Sequence, residues 1–95
     1  MSAAEVVVYT TKSCTYCVRA KRLLSQRGID FREVDVTGDD AARAALVERS
    51  GRQTVPQIWV GSTHVGGCGD LEELIDDNQL EPLLQREGIH RHPVN

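Results

Sequence analysis

Nowhere in the 95 residues does an apolar run approach the roughly 20 that a membrane-spanning helix needs. The opening stretch, Met1 to Glu5, also lacks the charged and apolar regions of a secretory signal, so a cytoplasmic protein is expected. An excess of positive charge is missing as well. With 11 basic against 14 acidic residues and a net charge of −3, nothing favours nucleic acid as the main partner. Internal repeats, linkers and low-complexity tracts are absent from the sequence. Cysteine is scarce and odd in number: three residues would leave one thiol over in any static disulfide framework. A second Cys-x-x-Cys is lacking too, so a zinc site would have to recruit Cys68, His64, His90 and His92.

The 40% hydrophobic content is enough for one compact core and no second, which makes residues 1–95 a single domain with its core at about 5–86. The β-branched run from Glu5 to Tyr9 reads as a central strand buried on both faces. From Cys14 to Arg27 the pattern is helical, with Ala20, Leu23 and Leu24 on one face and Gly28 as the stop. Phe31 to Val36 reads as a second strand. Thr37 and Asp40 fit a capping pair for a helix that carries Ala42, Ala45 and Leu46 and ends at Gly51. Gln57–Val60 and Thr63–Val65 flank Gly61-Ser62, whose leading glycine suits a type II′ hairpin. Asp70 and Glu73 form another capping pair before Leu71, Leu74 and Ile75, and a short helix with Leu80, Leu83 and Leu84 follows. Residues 89–95 show no periodicity and are expected to be a flexible tail.

A βαβ unit crosses over right-handedly, so its strands are parallel, and a hairpin adds two antiparallel ones. The order βαβαββα therefore gives an α/β protein with a four-stranded mixed β-sheet flanked by helices, the thioredoxin fold. The pair Cys14-Thr15-Tyr16-Cys17 falls where the first strand hands over to a helix. Unpaired N–H groups and the positive end of the helix dipole there stabilise a thiolate at Cys14. Cys17, one turn on and more enclosed, is within reach to resolve a mixed disulfide at Cys14.

Three motifs, in order, resemble those of the glutaredoxin family: Lys12-Ser13-Cys14-Thr15-Tyr16-Cys17, Thr54-Val55-Pro56 and Gly66-Gly67-Cys68-Gly69-Asp70. The likeness runs from Val6 to about Leu84. It implies a dithiol glutaredoxin with glutathione as co-substrate, no required metal, and catalytic Cys14 and Cys17. Oxidised or glutathionylated proteins would be its partners, and the protein would act as a monomer. The resemblance implies a cis Pro56 that turns the Val55 backbone outward to pair with an extended peptide, which is what glutathione is. Without the family, an ordinary strand-opening proline fits Pro56 equally well.

Glutathione carries two carboxylates and one α-ammonium, and candidate partners match them. Lys12 and Gln53 suit the glycyl carboxylate. The turn of Gly66-Gly67 lets the backbone approach, Cys68 and Gly69 offer N–H groups to the γ-glutamyl carboxylate, and Asp70 can accept from the ammonium. Tyr16 flanks the ligand sulfur, beside Thr54, Val55 and Pro56. Singly, each has a plainer reading: Asp70 as a helix cap, Lys12 as a solvated lysine, the glycines as a tight turn. Together they converge on one ligand. Two departures stand out: Thr15 replaces the proline usual in dithiol members, and Gly69 replaces a polar residue. The first leaves open a [2Fe–2S] carrier built on Cys14 and glutathione; a donor served by thioredoxin reductase is a further alternative. Trp59, the only tryptophan, reads as sheet packing.

Overall fold

The computed structural model describes residues 4–91. Val6, Val8 and Thr10 of strand β1 (Val6–Thr10) are buried while Val7 and Tyr9 between them are only half-covered. The run expected to be buried on both faces therefore has one fully buried face. The cause is the thin cover opposite: helix α2 (Asp40–Ser50) buries only Leu46 there. On the other side α1 (Thr15–Gln26), α3 (Cys68–Asp76) and α4 (Leu80–Arg86) close a core of Val6, Val8, Ala20, Leu24, Ile58 and Leu71.

Strand order is β2-β1-β3-β4, with β2 (Phe31–Asp35) parallel to β1, and β3 (Gln57–Val60) antiparallel to both β1 and β4 (Thr63–Gly66). This is the expected thioredoxin arrangement, with α4 following α3. The hairpin turn has positive φ at Gly61 (58°) and not at Ser62, as a type II′ turn requires. No helix among the described residues is long and apolar enough to cross a membrane.

Both expected capping pairs are shifted. Asp39, not Thr37, caps α2 by accepting from Ala42 N, because the Thr37 hydroxyl is taken by Lys12 N (2.8 Å) from the loop before Cys14. At α3 the cap is Gly67, and Asp70 sits at the third helical position, its carboxylate accepting from Gly67 N (2.8 Å). Of the residues expected in the tail, Ile89 packs on the core and donates its N–H to Leu84 O (2.9 Å), while Arg91 pairs with Glu81. Residues 92–95, His92 with them, lie outside the described residues.

Candidate functional site

Cys14 is the N-cap of α1, so its sulfur faces N–H groups that have no helical partner. Cys17 N donates to Cys14 Sγ at 3.0 Å. The Cys14 thiol in turn donates to Val55 O at 3.4 Å, which sets the sulfur beside the loop that precedes β3. Cys17 lies one turn deeper, is 1% exposed, and both thiols are free. Burial, and then the hydrogen bond with Cys14, push the Cys17 thiol up to about 12. The two sulfurs therefore differ in environment: one is half-buried and met by an N–H, the other is buried and held neutral.

The Val55–Pro56 peptide bond is cis, as the resemblance implied. Thr54, Val55 and Pro56 form one wall of an open groove of ≈ 270 Å³, and Gly67, Cys68 and Gly69 at the start of α3 form the other, with Tyr16 over its end. Tyr16 is 65% exposed, so its ring is available to a ligand rather than committed to the core. Cys68, though it borders the groove, is 4% exposed and belongs to the core, where burial raises its thiol. Gly69 has open space where a Cβ would stand.

Asp70 borders the groove through Gly67, and here a residue unforeseen in the sequence enters. Arg52 Nη1 donates to Asp70 Oδ2 at 2.6 Å, on the same oxygen that accepts from Gly67 N. The guanidinium and that N–H hold the Asp70 carboxyl below the usual carboxylate range. Eighteen residues separate the pair and no periodicity connects them, so nothing in the sequence singles out Arg52.

Lys12 and Gln53 are exposed and stand outside the groove lining. Lys12 contributes its backbone N–H to the loop contact with Thr37, and the Gln53 carbonyl accepts from Arg43 (3.4 Å). Among the described residues, no group of three or more His, Cys, Asp or Glu side chains is arranged to hold a metal ion. Behind the loop, Gln57 is fully buried and His64 touches it, a pair that sequence patterning also missed.

Comparison with known proteins agrees with this geometry. The glutaredoxin family model matches residues 6–65. A glutaredoxin of Pseudomonas aeruginosa is 52% identical over 79 residues, covering 83% of this chain and 94% of that protein. Glutaredoxin 3 of Escherichia coli K12 is 48% identical over 82 residues, covering 86% and 99% respectively. Among solved structures, a buckwheat glutaredoxin–glutathione complex superposes with a TM-score of 0.84 at 34% identity, over 92% of this chain and 83% of that one. On sequence, fold and the setting of its paired cysteines, the chain belongs to the glutaredoxin family of thiol–disulfide oxidoreductases.

Proposed function

We propose that the protein reduces glutathione mixed disulfides and protein disulfides with glutathione as its reductant. The observation that carries this is the open groove between Thr54–Pro56 and Gly67–Gly69, whose Val55 carbonyl also meets Cys14 Sγ at 3.4 Å. Such a groove suits a short extended peptide. When Cys14 loses its proton, the Val55 carbonyl loses its donor and is free to accept a peptide N–H. The N–H groups opening α3 suit the γ-glutamyl carboxylate, and Asp70 suits the ammonium, because both of its bonds fall on Oδ2 and leave Oδ1 to the ligand. Lys12, exposed beside the Cys14 loop, and Gln53, next to Thr54, remain partners for the glycyl carboxylate at the other end. The buckwheat protein solved with glutathione supports the choice of ligand.

In the reaction, the Cys14 thiolate attacks the glutathione sulfur of a mixed disulfide. The S–S bond breaks, the substrate leaves as a thiolate that takes up a proton, and Cys14 carries glutathione. A second glutathione thiolate attacks that sulfur, giving glutathione disulfide and restoring Cys14. With a protein disulfide, Cys14 attacks one substrate sulfur and Cys17 then displaces the substrate, closing an internal disulfide that two glutathiones reduce. The neutral Cys17 cannot compete for the first attack, since a thiol held near 12 is almost wholly protonated at neutral pH.

A coupled assay on a small glutathione mixed disulfide tests the reading: NADPH should be consumed with glutathione plus glutathione reductase and not with thioredoxin reductase. The opposite pattern would overturn it. A visible absorbance in protein purified without oxygen would instead favour the cluster-carrier alternative.

A further inference from the structure

Gln57 is the residue after Pro56 and opens β3, yet its side chain is fully buried, one of only two buried polar side chains among the described residues. A carboxamide with no water around it must find protein partners for both ends. Nε2 donates to Thr54 O at 2.9 Å and lies 3.4 Å from Thr54 Oγ1. A carbonyl can only accept, so the amide cannot be turned round. Oε1 therefore faces His64, whose Nε2 stands 2.8 Å away and must carry the proton.

His64 is in turn fixed from behind. It is the cross-strand neighbour of Trp59 on β4, and the two rings stack with centroids 4.5 Å apart. The Arg49 guanidinium lies 4.3 Å from the centre of the Trp59 ring, and the Tyr9 ring packs against it in a T-shaped pair with centroids 5.4 Å apart. A continuous line of contact thus runs from α2 through the sheet to the Thr54 carbonyl. Thr54 is the first residue of the groove wall, and the next carbonyl, that of Val55, is the one that meets Cys14 Sγ.

We infer that Gln57 and His64 are positioning residues for the groove: their relay holds the Thr54 carbonyl inward and so presents the Val55 edge to a peptide ligand beside Cys14. This rests on the glutathione reading above. Neither side chain lines the groove, and the N–H that meets the Cys14 sulfur comes from Cys17 on α1 and not from the relay, so their effect falls on ligand recognition and not on the reactivity of the sulfur.

Three variants test the relay with a glutathione mixed disulfide. His64→Phe keeps a ring to stack on Trp59 but removes the donor to Gln57, and should raise KM roughly fivefold with kcat little changed. Gln57→Leu should raise KM further in the same direction. His64→Gln restores a donor without the ring, and should recover KM to within about twofold of the unaltered protein. The rate of Cys14 alkylation by iodoacetamide should stay the same in all three. A drop in melting temperature with unchanged KM would make the pair merely structural, and a parallel loss of alkylation would place their effect on Cys14; either overturns the inference. Should the variants not fold, nitrogen NMR of the His64 ring in the unaltered protein decides: the neutral Nε2–H tautomer is required, and the Nδ1–H tautomer refutes the relay. If the unaltered protein does not turn over glutathione mixed disulfides at all, the glutathione reading falls and takes this role with it.

Discussion

Cys14 and Cys17 are three residues apart in sequence and belong to different chemical worlds. The half-buried Cys14 receives an N–H at 3.0 Å, whereas Cys17 is 1% exposed and its thiol is held near 12. Cys14→Ser should therefore abolish all turnover, while Cys17→Ser should keep activity on glutathione mixed disulfides and lose it on protein disulfides. If Cys17→Ser removed both equally, resolution by a second glutathione would be wrong. Asp70 allows a similar separation. Asp70→Asn keeps an oxygen to accept from Gly67 N but loses the charge that meets Arg52 and, by proposal, the ligand ammonium. The ion pair is 46% and 38% exposed on its two sides, so it contributes little stability and the melting temperature should fall by a few degrees at most. A charge-assisted ligand contact is worth about 1–2 kcal/mol, roughly a five- to thirtyfold fall in kcat/KM with glutathione substrates. A disulfide without the γ-glutamyl group should react at nearly the wild-type rate, and an equal loss on both substrates would misplace that end of the site.

At the scale of elements, the junction of β4 with α3 separates two glycines that the sequence writes alike. Gly66 has φ 113°, a conformation that strains any L side chain, and a Cβ there would run into the Asp70 carboxylate and come within 2.9 Å of Arg52. Gly69 has a φ outside that region and nothing near it. Gly66→Ala should cost about 1–3 kcal/mol in a denaturant titration and raise KM for glutathione substrates, because it displaces Asp70. Gly69→Ser should change stability by no more than about 0.5 kcal/mol. If Gly66→Ala were as harmless as Gly69→Ser, this junction would not be what aims Asp70. The same junction marks how far the sequence could be read. Strand and helix identity followed from periodicity, and three motifs located Cys14, Pro56 and the start of α3. Caps were misjudged by two or three residues, and at α2 the reason is competition for an oxygen: Thr37 is claimed by Lys12 N, so Asp39 caps the helix. Arg52, Gln57 and His64 were illegible for a related reason. Arg52 and Thr54 lie in a loop and Gln57 and His64 on two strands, so no single helix or strand carries these pairs, and only the folded sheet brings them together.

For the whole molecule, ionisable groups tie one element to another, and their shifts fix how stability depends on pH. Glu33 on β2 accepts from Thr10 on β1 and Lys21 on α1, Glu87 after α4 accepts from Ser62 in the hairpin turn, and Asp70 links α3 to Arg52. These contacts hold Glu33, Glu87 and Asp70 below their ordinary values, as Thr37 does for Asp35. A carboxyl depressed in the folded state binds protons more readily when unfolded, so its contribution is present above the ordinary carboxylate range and lost as pH falls through that range. His64 is depressed too, first by burial and then by Arg52 and Arg49, against the opposing pull of Asp70. Its contribution is complete above its ordinary 6.5 and is lost as pH falls below it, before the carboxylates respond. Cys17 works on the other flank: its thiol is raised from 9.0 to about 12, so stability is intact below 9.0 and declines as pH climbs from there toward 12. Melting temperature measured under reducing conditions should thus be flat between about pH 6.5 and 9, fall gently below 6.5, and fall steeply once the carboxylates protonate near pH 4. His64→Phe should erase the gentle decline and spare the steep one, and Cys17→Ser should make the alkaline decline shallower, leaving the part that the buried, raised thiol of Cys68 contributes. A steep acid limb already under way at pH 6 in His64→Phe would mean that some other group carries that titration.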